Sequence, residues 1–338
     1  MHIKEVVVTG QRKVELLDGA LDEKLGSNEL LIETEKTFIS AGTELANYMA
    51  RDAGVFVPGN WCAYPWRSGY GNVGTVRATG SGVTRAKVGD RVLTYGNHAS
   101  FVKYTDDRLV IRIPDGMDPV VAAASRMAGV ALTAMILSEI KGNPWIVVFG
   151  LGAVGNFASQ SFVARGCKVI GIDPIEARRK VANRCGIAAT ITGTPEENHK
   201  KVKDLTGGAM GGIVIDAVGD STVIQEAVNC CANFGQIVIL GSPRVPVTGN
   251  MTPMLSAIHF KFITVRGALE WCLPMYPGNG IPMSQYQKQE MIFDWMARGL
   301  LKLEPLISHR LPPEKISEAY EGLETNKGVF TGIALEWK

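Results

Sequence analysis

A buried-strand pattern that runs into a glycine-rich turn constrains this chain more than any other feature. Residues 147–155 read V-V-F-G-L-G-A-V-G, an apolar run that breaks into G-x-G-x-x-G. A helical pattern follows over residues 156–165, and the next apolar strand, residues 168–172, ends on Asp173. Strand, glycine turn, helix and strand in this order predict a βαβ unit with the turn at a helix N-terminus.

Such a turn is suited to a dinucleotide, because each glycine meets a different need. The first allows a tight turn, the second lets the backbone approach a pyrophosphate, and the third lets helix and strand pack closely. Free N–H groups and the helix dipole favour the negative charge there. A glycine turn that binds nothing is the alternative, and the context disfavours it. The predicted cofactor contacts in the turn are Gly150, Leu151, Gly152, Ala153, Val154 and Gly155.

Asp173 bears on which cofactor binds. A carboxylate at the end of the second strand is placed to accept hydrogen bonds from the adenosine ribose, and it would repel the 2′-phosphate of NADP. We therefore predict NAD, with NADP as the less favoured alternative. Arg178 and Arg179 lie close by in sequence and could soften this repulsion, but on the first turn of a helix we expect them to be solvated.

Composition points to an ordinary globular protein. The 338 residues suggest two domains, and 46% hydrophobic and 20% charged residues are typical of soluble chains. A net charge of +2 predicts neither nucleic-acid nor membrane partners. The N-terminus lacks a secretory apolar region, and we expect no stretch long enough to span a bilayer, hence a cytoplasmic protein. None of the six cysteines forms C-x-x-C, which favours buried thiols.

The chain changes pattern twice. Short strand-like runs separated by glycine, asparagine and aspartate turns fill residues 1–117 and predict a small barrel-like β domain. Helix and strand alternate over residues 118–267, which predicts a parallel sheet of six strands. Residues 268–338 are predicted to return to the β domain. The six strands are predicted at residues 146–149, 169–172, 189–191, 213–216, 236–240 and 262–265.

At this point the chain resembles the medium-chain dehydrogenase/reductase superfamily along essentially its whole length. The resemblance implies a GroES-like β-barrel catalytic domain and a doubly wound, parallel-sheet Rossmann domain, an α/β plus β architecture. The segments that carry it besides the glycine turn are I-S-A-G-T-E at 39–44, G-Y-G-N-V-G at 69–74, V-G-D-R-V at 88–92, I-P-D-G-M at 113–117 and I-S-H-R at 307–310.

The departures from the family pattern concern zinc. Zinc-dependent members carry a cysteine where this chain has Ala41 and a histidine where it has Tyr70. Their third ligand would fall near residues 126–129, which contain no Cys, His, Asp or Glu. A catalytic zinc needs three such ligands. The resemblance therefore implies a zinc-independent branch, with no metal in the site.

Two hydroxyls are the catalytic candidates. Thr43 matches the family's hydroxyl relay, and a hydroxyl can both donate and accept a proton. A turn-capping role for Thr43 remains the alternative. Tyr70 replaces a metal ligand and could donate to a substrate oxygen, or simply fill the space. Glu44 is expected to be a structural partner of a basic residue, and Ala46 stands where the family's relay histidine would be.

Substrate and further cofactor contacts are inferred from position. Aromatic rings beside an arginine suit a sugar, polyol or cyclitol, and equally a quinone or a core. The substrate candidates are Trp66, Arg67, His98 and Trp271. Because ligands of doubly wound sheets bind beyond the carboxyl ends of the strands, the further cofactor candidates are Ala217, Val218, Gly219, Leu240, Gly241, Ser242, Gly267, Ala268 and Leu269.

Three functions remain open at this stage. The leading one is an NAD-dependent, zinc-independent dehydrogenase acting on a secondary alcohol or ketone of a small molecule. A quinone or enoyl reductase is the second, and a cofactor-binding protein without catalysis is the third. The apolar strand predicted at residues 262–265 would be an unpaired edge in a monomer, which predicts a homodimer or homotetramer.

Overall fold

The computed structural model describes residues 1–278, 280 and 283–338. The strands are, in chain order, β1 (His2–Gly10), β2 (Lys13–Ala20), β3 (Glu29–Phe38), β4 (Trp66–Arg67), β5 (Asn72–Thr79), β6 (Arg91–Thr94), β7 (Phe101–Thr105), β8 (Val110–Arg112), β9 (Trp145–Phe149), β10 (Lys168–Ile172), β11 (Ala189–Ile191), β12 (Gly211–Asp216), β13 (Cys231–Ile239), β14 (Thr264–Gly267), β15 (His309–Leu311) and β16 (Ile333–Glu336). The helices are α1 (Ala41–Tyr48), α2 (Pro119–Leu137), α3 (Ala153–Ala164), α4 (Glu176–Arg184), α5 (Pro195–Leu205), α6 (Ser221–Cys230), α7 (Thr252–Phe260), α8 (Gln285–Ala297) and α9 (Ile316–Thr325).

These elements form two compact units. The first contains residues 1–127, 273–294 and 306–338, and the second contains residues 128–272 and 295–305. The first change of unit therefore falls inside α2, later than the boundary expected at residue 117. Residues 295–305 belong with the second unit, whereas the sequence pattern had placed them in the returning segment.

The first unit is built from antiparallel strands. One sheet has the order β15-β16-β3-β5-β6-β8, with β7 added to β3, and a smaller sheet has the order β2-β1-β4. Only the pair β15–β16 is parallel in the larger sheet. Alternate residues of β7 are buried, which is the period-two pattern of a strand with one face on the core. These antiparallel sheets, accompanied by α1 and α9, confirm the predicted GroES-like part of the fold class.

The second unit holds a sheet of six strands in the order β11-β10-β9-β12-β13-β14. Every neighbouring pair is parallel. Numbered from β9, this is the strand order 3-2-1-4-5-6 of the doubly wound dinucleotide-binding fold. Its core is apolar and β-branched, with Val147, Ile170, Val214 and Ile237 fully buried, as expected of parallel strands covered on both faces. The predicted Rossmann part of the fold class is confirmed.

One expectation about apolar stretches is wrong. Helix α2 is 19 residues long and apolar enough to span a membrane by length and composition. However, 83% of its most apolar window is buried inside the protein. A helix that is apolar on all sides is also what a buried core position requires.

Candidate functional site

The glycine turn adopts the geometry that a pyrophosphate site needs. Gly150 has φ +85°, a left-handed conformation that glycine adopts without strain. A Cβ atom on Gly155 would lie 1.8 Å from the carbonyl oxygen of Gly150, so helix α3 packs on the turn as closely as a glycine allows. At Gly152, the N-cap of α3, a Cβ would meet only the Arg178 guanidinium, at 4.0 Å. The space above Gly152 is therefore open, and the half-buried start of α3 can receive an anion.

The loops after three strands of the second unit converge beside this turn. A Cβ on Gly150 would lie 2.8 Å from a methyl carbon of Val218, and one on Gly219 would lie 2.5 Å from the carbonyl oxygen of Ser242. A Cβ on Gly241 would lie 2.5 Å from the backbone nitrogen of Gly219. The structure thus brings the predicted contacts after β9, β12 and β13 into one place.

The remaining predicted contacts follow β14. The N–H of Ala268 donates to the carbonyl of Ile239 at 2.9 Å, which continues the pairing of β14 with β13 beyond Gly267. Ala268 is buried, whereas Leu269 is 60% exposed. These residues lie at the same carboxyl edge of the sheet as the other loops. Their roles in cofactor binding stay predictions.

Asp173 is held rigidly at the edge of the turn. Its carboxylate accepts the N–H of Leu151 at 2.7 Å on one oxygen and the N–H of Ile175 at 2.8 Å on the other. Arg178 lies 3.6 Å from the first of these oxygens, and Arg179 donates to the backbone carbonyl of Asp173 at 2.6 Å. The expectation that both arginines are simply solvated is therefore wrong, because each interacts with Asp173.

Asp216 is a buried acid that the sequence analysis did not select. It ends β12, and one carboxylate oxygen accepts the N–H groups of Val218 at 2.8 Å and Gly219 at 3.3 Å. The other oxygen has no hydrogen-bond partner among the described residues. Burial raises the pKa of Asp216, since removal from water disfavours its charged form. Its position as the acid that ends an apolar strand was a usable signal, similar to the one that identified Asp173.

A cluster of three hydroxyls lies in the first unit. The Tyr70 hydroxyl is hydrogen-bonded to the Ser40 hydroxyl and lies 3.5 Å from the Thr43 hydroxyl, the outer limit of a hydrogen bond. Ser40 precedes α1 and Thr43 lies in its first turn, so the helix start presents both oxygens to Tyr70. A chain of hydroxyls can pass a proton, because each oxygen both donates and accepts. Sequence reasoning selected Thr43 and Tyr70 and missed Ser40.

Glu44 connects α1 to other parts of the first unit through its carboxylate. Its carboxylate accepts hydrogen bonds from the Ser40 N–H at 2.8 Å and from the Tyr320 hydroxyl at 2.5 Å. It also lies 3.0 Å from His98 Nε2. All three side chains from Glu44, His98 and Tyr320 are buried. Burial and the adjacent carboxylate raise the pKa of Tyr320 well above its ordinary value, so the phenol keeps its proton at neutral pH and donates a hydrogen bond to Glu44. Glu44 is thus a structural partner, and its basic partner is His98.

The predicted substrate contacts are distributed differently from expectation. Trp66 is a member of the apolar core, and His98 is committed to Glu44. Arg67 is exposed and forms an ion pair with Glu5 at 2.6 Å. Trp66 and His98 are both buried, and their predicted substrate roles stay predictions. Trp271 lies in a short 3-10 helix of the second unit and is 53% exposed, so its predicted role stays a prediction.

The donor set does not fit a catalytic zinc. The described residues contain no group of three or more Cys, His, Asp or Glu side chains that could hold a metal ion. Ala41 offers no ligand atom, and the Tyr70 oxygen is occupied by Ser40. A zinc with fewer than three protein ligands would not be retained in this site.

Comparison with known proteins supports the same fold and chemistry. The profile of the zinc-binding dehydrogenase family matches residues 153–276, a segment without Ala41 or Tyr70. A quinone oxidoreductase of Pseudomonas aeruginosa is 32% identical over 278 residues, 79% of this chain and 82% of that protein. The L-threonine 3-dehydrogenase of Bacillus subtilis is 28% identical over 229 residues, 68% of this chain but only 61% of that enzyme. Galactitol-1-phosphate dehydrogenase of Escherichia coli superposes with TM-score 0.83 at 20% identity, covering 98% and 99% of the two chains.

The parallel sheet, its glycine turn and the acid that closes it define an oxidoreductase of the dinucleotide-binding class. The presence of a separate β unit narrows the class of protein further. The chain belongs to the medium-chain dehydrogenase/reductase superfamily.

Proposed function

We propose that this oxidoreductase interconverts a secondary alcohol and a ketone with NAD(H) and without a catalytic zinc. The observation that carries the proposal is the hydroxyl cluster of Ser40, Thr43 and Tyr70, which lies where the family resemblance places metal ligands. Alcohol oxidation must remove a proton as well as a hydride. The cluster provides hydrogen-bond donors and acceptors for the substrate oxygen and its proton.

The second unit supports the cofactor part of this proposal. The open space over Gly152 would accept the pyrophosphate, and the Asp173 carboxylate would accept the ribose hydroxyls with its remaining lone pairs. When bound, the nicotinamide ring supplies the hydride acceptor or donor. Arg178 lies only 3.6 Å from Asp173 and reduces its repulsion of a 2′-phosphate, so we propose NAD(H) as the preferred cofactor rather than the exclusive one.

A polyhydroxylated or cyclic small molecule is the proposed substrate class. Trp61 is 60% exposed and packs edge-on against Trp66, with ring centroids 6.0 Å apart, so it presents a supported aromatic face. Such faces suit sugar and cyclitol rings. Among the relatives, one is named for galactitol 1-phosphate and another for threonine, both of which carry a secondary alcohol.

Quinone reduction is the second candidate. It is favoured by the 32% identity with a quinone oxidoreductase, which lies above the identity with the named dehydrogenases. A flat quinone would also suit an exposed aromatic face. The two candidates differ in which partner gives up the hydride, so a substrate panel separates them.

The decisive experiment titrates the purified protein with NADH and NADPH by fluorescence, and then adds NAD⁺ with polyols, cyclitols and sugars. We expect tighter NADH binding, and reduced-cofactor absorbance that grows only with an alcohol substrate. A parallel set uses NADH or NADPH with quinones and enones. Activity confined to that second set, or a clear preference for NADPH, would replace the dehydrogenase proposal with the reductase one.

We also propose that two copies associate through β14. This strand pairs only with β13 among the described residues, and all four of its residues are exposed. An exposed edge strand with unpaired N–H and C=O groups invites pairing with another chain. We expect a homodimer or homotetramer by light scattering, and we expect Val265→Asp on the edge to lower the mass. Val329→Asp, at a comparably exposed site in the first unit, is the matched control. A wild-type mass of one chain would reject the proposal.

A further inference from the structure

One arginine lies in the apolar helix α2. Arg126 is the only charged residue in the sequence of α2, and its side chain is fully buried. A buried charge is costly unless other groups stabilise it. The position of Arg126 therefore calls for a reason beyond helix packing.

The guanidinium lies against two aromatic rings of the first unit. Its central carbon is 4.7 Å from the ring centroid of Tyr70 and 4.1 Å from that of Tyr95, both within cation–π range. Its Nε donates to the backbone carbonyl of Tyr70 at 3.2 Å. Arg126 thus holds Tyr70 by its backbone and places a positive charge over its ring, while the Tyr70 hydroxyl bonds Ser40.

We propose that Arg126 stabilises the ionised form of the Tyr70 phenol and so provides the positive charge that a metal would otherwise supply. This rests on the proposed alcohol oxidation. The substrate O–H bond breaks and its proton goes to the Tyr70 phenolate. The hydrogen on the same carbon leaves as hydride, with its electron pair, to the oxidised nicotinamide, and the C–O bond becomes C=O. Arg126 touches neither substrate nor cofactor in this scheme and is a positioning residue.

Glu44, Tyr95 and Tyr104 are further titratable groups in the described part of the first unit, and none of them supplies a positive charge. From α1, Glu44 adds a carboxylate that disfavours a phenolate, although three groups contact it, His98 among them. Tyr95, directly after β6, is a second phenol whose ring contacts Arg126. On β7, burial raises the pKa of Tyr104 to about 12, against the opposing effect of Arg108 and Arg126. Arg126 is thus the cation in direct contact with the Tyr70 ring.

Tyrosinate absorbance tests the proposal without any substrate. Burial raises the pKa of six of the eight tyrosines, namely Tyr48, Tyr64, Tyr104, Tyr276, Tyr286 and Tyr320. The other two tyrosines are Tyr70 and Tyr95, whose rings lie against the Arg126 guanidinium. We expect wild-type protein to show a single-tyrosine transition below about pH 10, the ordinary phenol value. Tyr70→Phe should remove this transition, and Tyr95→Phe should retain it.

Substitution of the arginine gives the second part of the test. In Arg126→Met the Tyr70 transition should move upward by about one to three pH units, the usual effect of a nearby opposite charge, and Arg126→Lys should restore part of it. The acidic limb of the pH profile of alcohol oxidation should move by the same amount. Thermal unfolding of each variant checks that it is folded.

The outcomes separate this inference from the proposed function. A Tyr70 transition at or above pH 10 in wild type overturns the inference even if Arg126→Met fails to fold. An identical transition in wild type and Arg126→Met also overturns it. Alcohol oxidation without the low transition would leave the proposed function standing and remove Arg126 from it. A Tyr70 transition below pH 10 in a protein that oxidises no alcohol would support the effect of Arg126 on Tyr70 and contradict the proposed function.

Discussion

Tyr70→Phe is expected to lower turnover about 100-fold or more, the lower end of what a positioned acid–base group contributes. The substitution removes only the hydroxyl that joins Ser40 and Thr43 and leaves the ring against Arg126. NADH affinity and thermal stability should stay within about twofold and a few degrees of wild type, because the cofactor residues lie in the other unit. The measurement is kcat with saturating cofactor, beside an NADH titration.

Matched variants show whether the effect belongs to the cluster. Thr43→Val should lower turnover at least about tenfold, since a methyl replaces the hydroxyl without changing the shape of the side chain. Tyr286→Phe removes a phenol of the same unit outside the cluster and should leave turnover unchanged. Unchanged turnover in Tyr70→Phe would remove the phenol from the mechanism, and a loss shared with Tyr286→Phe would indicate a general packing effect.

Gly152→Val is expected to weaken NADH binding about 100-fold, roughly 2.7 kcal/mol, with little change in the unfolding temperature. The new side chain would enter open space, since a Cβ there meets only the end of Arg178 at 4.0 Å. It would stand where a pyrophosphate must approach the start of α3. Fluorescence titration with NADH and a thermal melt measure the two effects separately.

Substitutions at two other glycines serve as controls for Gly152→Val. Gly249→Val also adds a side chain in open space and should leave NADH affinity unchanged. Gly155→Val should destabilise the protein outright, because its Cβ would lie 1.8 Å from the Gly150 carbonyl oxygen. Wild-type affinity in folded Gly152→Val would mean that no phosphate approaches this turn, and the dinucleotide site would have to be placed elsewhere.

Local pattern was sufficient where an element carries its own signal. The strands β9 and β10 lie within one residue of their predicted positions, because an apolar run defines each of them. Helix α1 was not predicted. It has eight residues and no side-chain cap, and its stability comes from contacts such as Leu45 in the core and Tyr320 on Glu44.

Other differences arise from pairing between strands. β2 was not predicted because most of its residues are exposed, and its pairing with β1 defines it. β14 begins two residues later than expected, at Thr264, since its register is set by parallel pairing of Gln236 with Thr264. Helix α7 was not predicted, although Met254, Ala257 and Ile258 recur at helical spacing and pack half-buried against the core of the second unit.

The sequence by itself determined the glycine turn and the class of fold, and it predicted a site without zinc ligands. These depend on glycine spacing, on apolar period and on residue identity at single positions, all of which are local. Only the tertiary structure decided that Ser40 bonds Tyr70 across 30 residues, that Arg126 lies against Tyr70 across 56, and that Tyr320 reaches Glu44 across 276. Such contacts form where distant strands and helices meet in one core, and their partners leave no periodic pattern along the chain.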